Sequence, residues 1–218
     1  MARRTQAETT NWVAENLRTA GRVTQVDVLD DGVLRVEREE FGPFVAGIVS
    51  RTAVALADIK DLVGSKHDVE IIVNVPKESF WYGSALDLAE LNNIATGQYG
   101  DLLRAIGEED VRELIAKDRI FVERSLRQHS RVSGFERSFD KVYVLSRTGL
   151  SKLTAAMINE YELTAEHLRT ARDRYGEFDV AVCTNPNGTI TSSAHKAADS
   201  MGVDVLKWGG FLGRINRA

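Results

Sequence analysis

The chain has 218 residues, 43% of them hydrophobic, with 28 Lys and Arg against 32 Asp and Glu and a single cysteine. That length allows one large domain or two small ones, each with its own core. No apolar run approaches the ~18 residues of a membrane span, the amino terminus lacks the apolar stretch of a signal peptide, and a lone Cys183 in an apolar strand reads as a buried, inert thiol, so a cytoplasmic protein is expected.

Taken in chain order, Thr9 or Thr10 caps a first predicted helix reaching about residue 20, with Trp12, Val13 and Leu17 at helical spacing and Gly21 as its stop. Two strands follow, 23–29 and 33–37, joined by Asp30-Asp31-Gly32, a hairpin signal. Gly42-Pro43 precedes a third strand over 44–49. A helix over 53–63 comes next, then a buried apolar strand over 69–75 ended by Pro76. A loop with three aromatics, Ser79-Phe-Trp-Tyr-Gly83, leads to a helix from 84 to about 93, and a short helix over 101–106 closes the half. That loop suits either a plug against other apolar surface or a stacking surface for a ligand. The second half reads alike: helix 111–128, hairpin strands 132–138 and 142–146, strand 153–159, helix 164–175 and strand 178–183. The turn Asn185-Pro186-Asn187-Gly188, helix 192–201, strand 203–208 and a last turn over 211–215 complete it. A final short strand is legible only in this second half.

The two halves also match residue by residue. Residues 12–38 lie over 121–147 without a gap, at a shift of 109, which is half the chain. Eight of the 27 pairs are identical, among them Leu17/Leu126, Arg18/Arg127, Asp31/Asp140 and Arg38/Arg147. Farther on the likeness continues with small slips in register. Asp68-Val-Glu-Ile-Ile-Val-Asn-Val-Pro76 answers to Phe178-Asp-Val-Ala-Val-Cys-Thr-Asn-Pro186, while Ser84-Ala85 answers to Ser193-Ala194 and Gly100, Leu103 and Ile106 to Gly209, Leu212 and Ile215. Two copies are too few for a solenoid. The expectation is an α/β chain of two similar α-β-β-β-α-β halves, 1–108 and 109–218, related by a pseudo-twofold.

Helix, three-stranded meander, helix, strand is the core order of the restriction-endonuclease-like (PD-(D/E)XK) superfamily. The segment from Phe178 through Thr189-Ile-Thr-Ser-Ser-Ala-His-Lys-Ala-Ala198 to Trp208-Gly-Gly-Phe-Leu212 resembles the carboxy-terminal part of Mrr-like restriction endonucleases. The likeness covers about 65 residues of the second half, from Leu153 on, and more weakly the first. It implies an acidic residue at a strand start and a Glu-x-Lys on the next strand, with the carboxylates holding Mg2+ or Mn2+ and the lysine orienting water. Asp140 stands at the first of these positions, before the strand at 142. Met157-Ile-Asn-Glu-Tyr-Glu162 supplies Glu160, but Glu162 occupies the lysine position. Asp140, Glu160 and Glu162 are therefore the candidate catalytic residues and metal ligands, in a set that lacks the water-orienting lysine of the usual mechanism. Asp31 is kept in the first half, but Phe44-Val-Ala-Gly-Ile-Val-Ser-Arg51 offers no carboxylate, so that copy is expected to be inactive. Turn chemistry accounts equally for Asp31 and Asp140, and a solvated helix start for Glu160 and Glu162.

Charge separates the halves. Residues 1–109 hold 11 Lys and Arg against 18 Asp and Glu, a balance of −7, and residues 110–218 hold 17 against 14, a balance of +3. Nine Lys and Arg fall between 117 and 152, with His129 among them. Either a solvated helix and hairpin or a phosphate-contacting surface fits this run. Arg124, Arg127, Arg131 and Arg137 are the candidate nucleic-acid contacts. Three functions stay open: a degenerate nuclease-like protein that binds nucleic acid without cutting it; a metal-dependent nuclease using the second copy; and a protein-partner-binding module in a defence or toxin-control system, with the acidic first half as its contact surface.

Overall fold

The computed structural model describes residues 5–217 and, of Lys117, the backbone alone. The chain forms two compact units, Met1–Ala116 and Lys117–Ala218. The boundary falls inside the helix expected over 111–128. A single 3-10 turn spans Val111–Glu113, and the α-helix starts only at Lys117.

In chain order the first unit runs α1 (Gln6–Arg18), β1 (Val23–Asp30), β2 (Val33–Arg38), β3 (Phe44–Val49), β4 (Ala53–Val54) and α2 (Leu56–Val63), then β5 (Ile71–Asn74), β6 (Phe80–Trp81), α3 (Gly83–Leu91), β7 (Ala95–Gln98) and α4 (Tyr99–Ala105). Thr5, not Thr9 or Thr10, caps α1, in a reciprocal box with Glu8. Thr9 and Thr10 are buried one turn inside the helix, where their hydroxyls donate back to the carbonyls of Thr5 and Gln6. The main sheet has the order β1-β2-β3-β5-β7. Its first three strands form an antiparallel meander, and β3, β5 and β7 run parallel. A parallel pair of two-residue strands, β4 and β6, lies outside it.

The second unit repeats this order element for element: α5 (Lys117–Gln128), β8 (Val132–Phe139), β9 (Val142–Arg147), β10 (Leu150–Ile158), β11 (Glu162–Leu163) and α6 (Ala165–Tyr175), then β12 (Val180–Cys183), β13 (Thr189–Ile190), α7 (Ser192–Met201), β14 (Asp204–Lys207) and α8 (Trp208–Ile215). Its sheet order is β8-β9-β10-β12-β14, with the same antiparallel and parallel pairs. The shift of 109 holds throughout. Ala46 pairs with Ile71, and Ala155 with Val180; Ala53 pairs with Phe80, and Glu162 with Thr189. The slip expected from matching Pro76 to Pro186 is absent. Asn74 answers to Cys183, and Pro76 to Asn185. The strand expected only in the second half is present in both, since β7 pairs with β5 as β14 pairs with β12.

Alternation along the strands divides each unit's core between the two faces of its sheet. In the first unit Leu34, Val36, Ile71 and Val73 pack beneath Val13 and Leu17 of α1 and Leu102 of α4. Val33, Val45 and Ile72 point the other way, to Ile59 of α2 and Ala85 and Leu86 of α3. In the second unit Leu145, Ala155 and Val182 meet Val122 and Leu126 of α5 and Phe211 of α8, while Val142, Ala156 and Ala181 meet α6 and α7.

Candidate functional site

The carboxylates expected to form a metal site do not gather into one. Asp140 lies in the turn between β8 and β9, where its Oδ1 accepts a hydrogen bond from the Tyr175 hydroxyl at 3.4 Å. Burial, reinforced by the Asp140 charge, pushes that phenol up. Strand β10 ends at Ile158 rather than 159, and Asn159-Glu160-Tyr161 leaves the sheet. The Thr189 N–H takes the Tyr161 carbonyl at 2.8 Å, and Glu162 begins β11. Both glutamate side chains are exposed. Placing Glu160 and Glu162 on the strand that follows Asp140 requires β10 to continue through them, and it does not. Among the described residues no three His, Cys, Asp or Glu side chains form a group that could hold a metal, so Asp140, Glu160 and Glu162 do not fit Mg2+ or Mn2+ as placed.

The strand-end positions nearby carry different chemistry in the two units. In the first, the fully buried Asn74 amide clasps Arg51, accepting its N–H at 2.9 Å and donating to its carbonyl at 2.8 Å. In the second, Cys183 takes the Asn74 position and Glu160 that of Arg51, with the thiol 3.6 Å from the Glu160 carbonyl. Cys183 is buried, as its apolar strand predicts, and burial pushes its thiol up. Of the aromatic loop in the first unit, Trp81 is buried in β6 and Tyr82 stays 40% exposed at the start of α3. Asp31 is exposed at the rim of a shallow concavity of about 340 Å³ shared with Asp30 and Asp61.

The arginines, in contrast, converge. On α5 the residues Arg119, Glu123 and Arg127 follow at i, i+4 and i+8 and share a helix face. Glu123 is 7% exposed, a buried acid on a helix that packs on the sheet. Its Oε1 lies 2.8 Å from Arg119 Nε and 3.8 Å from Arg137 Nε of β8, and its Oε2 lies 2.7 Å from Arg127 Nη2. Burial alone would raise the Glu123 carboxyl. The hydrogen bond and charge of Arg119, with Arg137 and Arg127, overcome it and hold the carboxyl below its usual value. Arg127 is also fixed from a second side, its guanidinium 5.4 Å from the centre of the Phe135 ring.

Of the four expected contacts, Arg124, Arg127 and Arg131 are exposed. Arg131 sits just before β8, its Nη1 3.5 Å from the Thr148 carbonyl and its backbone N–H on His129 Nδ1 at 3.2 Å. Arg137 is different. Its side chain is 6% exposed against Glu123, so it is a packing residue and not a surface contact. The i, i+4 spacing of Glu123 from Arg119 and to Arg127 is the sign in the sequence that this acid is paired.

Fold and site together define a mixed α/β chain of two repeating units, of which the second gathers arginines around one buried carboxylate. No protein-family model matches the chain, and no curated protein or solved structure matches it.

Proposed function

We propose that the chain is a restriction-endonuclease-like protein that binds nucleic acid through its second unit and does not cut it. The observation that carries this reading is the stripe of Arg124, Arg127 and Arg131. Three exposed guanidiniums fall within eight residues, no Asp or Glu occurs from 124 to 135, and the acid just before them, Glu123, is turned inward. Such a stripe suits a line of phosphates, and Arg127 is already oriented by Glu123 and Phe135. The repeated α-β-β-β-α-β order supports the superfamily resemblance. Glu162 in the lysine position, together with the exit of Glu160 and Glu162 from β10, favours binding over cleavage.

Fluorescence polarisation with labelled DNA and RNA, single-stranded and duplex, tests the reading at low salt. Binding should weaken with salt along a log–log slope of about −2 to −3, the value for three phosphate contacts. A lack of binding to every form at about 50 mM salt, where phosphate contacts are strong, overturns it.

A further inference from the structure

We infer that the ligand of the second unit is single-stranded nucleic acid, with an unpaired base stacked on Phe121. The inference rests on the nucleic-acid reading above and narrows it. Phe121 lies on α5 three residues before Arg124, so the two side chains share one side of the helix. Phe121 is 48% exposed, although an aromatic side chain gains a large stabilisation from burial. The exposed ring is firmly mounted: its centroid is 4.9 Å from that of Trp208, which in turn stands 5.5 Å from Phe211, a fully buried residue of α8.

The first unit shows what is special about this arrangement. There Trp12 meets Tyr99 at 5.3 Å in the equivalent contact, but Trp12 is partly buried and the counterpart of Arg124 is Glu15. An exposed aromatic with an arginine one turn away occurs at this position only in the second unit. Arginines attract the phosphates of any strand, paired or unpaired. A duplex keeps its bases stacked on one another, so only an unpaired base can cover the Phe121 ring, and aromatic rings beside backbone-tracking cations are the usual means of holding single strands.

The test is fluorescence polarisation of the full chain with three labelled probes of about 20 units: oligodeoxythymidine, an abasic strand with the same sugar-phosphate backbone, and a duplex. Oligodeoxythymidine should bind about 5- to 150-fold more tightly than the abasic strand, the ratio expected of one base–aromatic stack. Phe121→Leu, which keeps an apolar side chain, should lose a similar factor for oligodeoxythymidine and change duplex affinity less than about twofold, and Phe121→Trp should restore the loss. Equal affinity for the thymidine and abasic strands overturns the inference while leaving the nucleic-acid reading standing, and it needs no variant. Equal losses of single strand and duplex in Phe121→Leu also overturn it. Failure of all three probes to bind overturns the inference, and if RNA fails as well the nucleic-acid reading falls with it.

Discussion

Arg38 and Arg147, at equivalent positions of the two units, make the same buried bridge. Each closes the second strand of its meander and sends Nη1 to carbonyls at the end of its unit's last helix. Arg38 Nη1 donates to Ala105 at 2.9 Å and Glu108 at 2.6 Å; Arg147 Nη1 donates to Arg217 at 2.7 Å and Ile215 at 3.3 Å. Each Nε donates to the carbonyl four residues on, Gly42 at 2.8 Å and Ser151 at 2.7 Å. The carbonyls at a helix end have no partner within the helix and carry its negative pole, so a guanidinium satisfies them in both respects. Burial lowers both guanidinium pKa values, yet both stay ionised at neutral pH.

Replacing either arginine should therefore unfasten one unit. Arg38→Ala or Arg147→Ala leaves buried carbonyls without a donor and should cost about 2–4 kcal/mol. Lysine cannot fork to both sets of carbonyls and should recover little of that loss. Hydrogen exchange should show the gain in opening in β2 and α4 for Arg38→Ala, and in β9 and α8 for Arg147→Ala. Urea unfolding midpoints equal to wild type would refute the bridge.

Gly188 answers to Ser79, but the second unit leaves no room for a side chain at this position. A Cβ at Gly188 would stand 2.5 Å from Cys183 Sγ, 2.7 Å from the Glu160 carbonyl and 3.0 Å from the Asn185 carbonyl. Gly188→Ala should destabilise by about 1–3 kcal/mol, since two of the three obstacles are backbone. Adding Cys183→Ala should not rescue it, because the Glu160 carbonyl stays in place. A Cβ at Gly134 meets nothing within 4 Å, and Gly134→Ala serves as the neutral control. Thermal unfolding of the variants decides.

Glu123 makes a pH prediction. Its carboxyl is held below the ordinary value in the folded chain, so its contribution to stability is complete above the unfolded pKa, about 4.3, and is lost as pH falls through the folded value. Glu123→Ala should cost about 2–4 kcal/mol at pH 7, because it takes the carboxylate from beside the buried Arg137 and the partly buried Arg119. The gap between wild type and variant should narrow as pH is lowered from 7 to about 3, where the carboxylate is protonated. Denaturant unfolding across that range measures it, and a gap that widens toward acid would contradict the assignment.

Arg137 and Arg124 should separate stability from binding. Arg137→Ala should destabilise the second unit and leave the salt dependence of nucleic-acid binding unchanged in slope. Arg124→Ala should leave the unfolding midpoint unchanged and reduce the magnitude of the salt slope by about 0.7–0.9, the share of one phosphate contact. The reverse pattern would place the contact surface on the wrong side of α5.

Much of the frame was legible before folding was considered. Residues 12–38 and 121–147 share enough identities to reveal the repeat, and Asp30-Asp31-Gly32 marks the first hairpin. The slip read between the halves came from aligning two prolines, Pro76 and Pro186, that are not equivalent. Strand β7 has no local signature, because Ala95-Thr-Gly-Gln98 is short, polar and broken by glycine; pairing with β5 makes it a strand. The two-residue strands β4, β6, β11 and β13 are too short for any period to show.

Local sequence by itself determined the repeat, the meander and the placing of the basic run, because periodicity, turn residues and residue identity are properties of neighbours along the chain. Only the tertiary structure decided which charges face water. Packing of α5 on β8 and β9 turned Glu123 and Arg137 inward and left Arg124, Arg127 and Arg131 outside. The end of β10 at Ile158 likewise took Glu160 and Glu162 off that strand. Burial and convergence depend on contacts between segments far apart in sequence, and no local pattern carries that information.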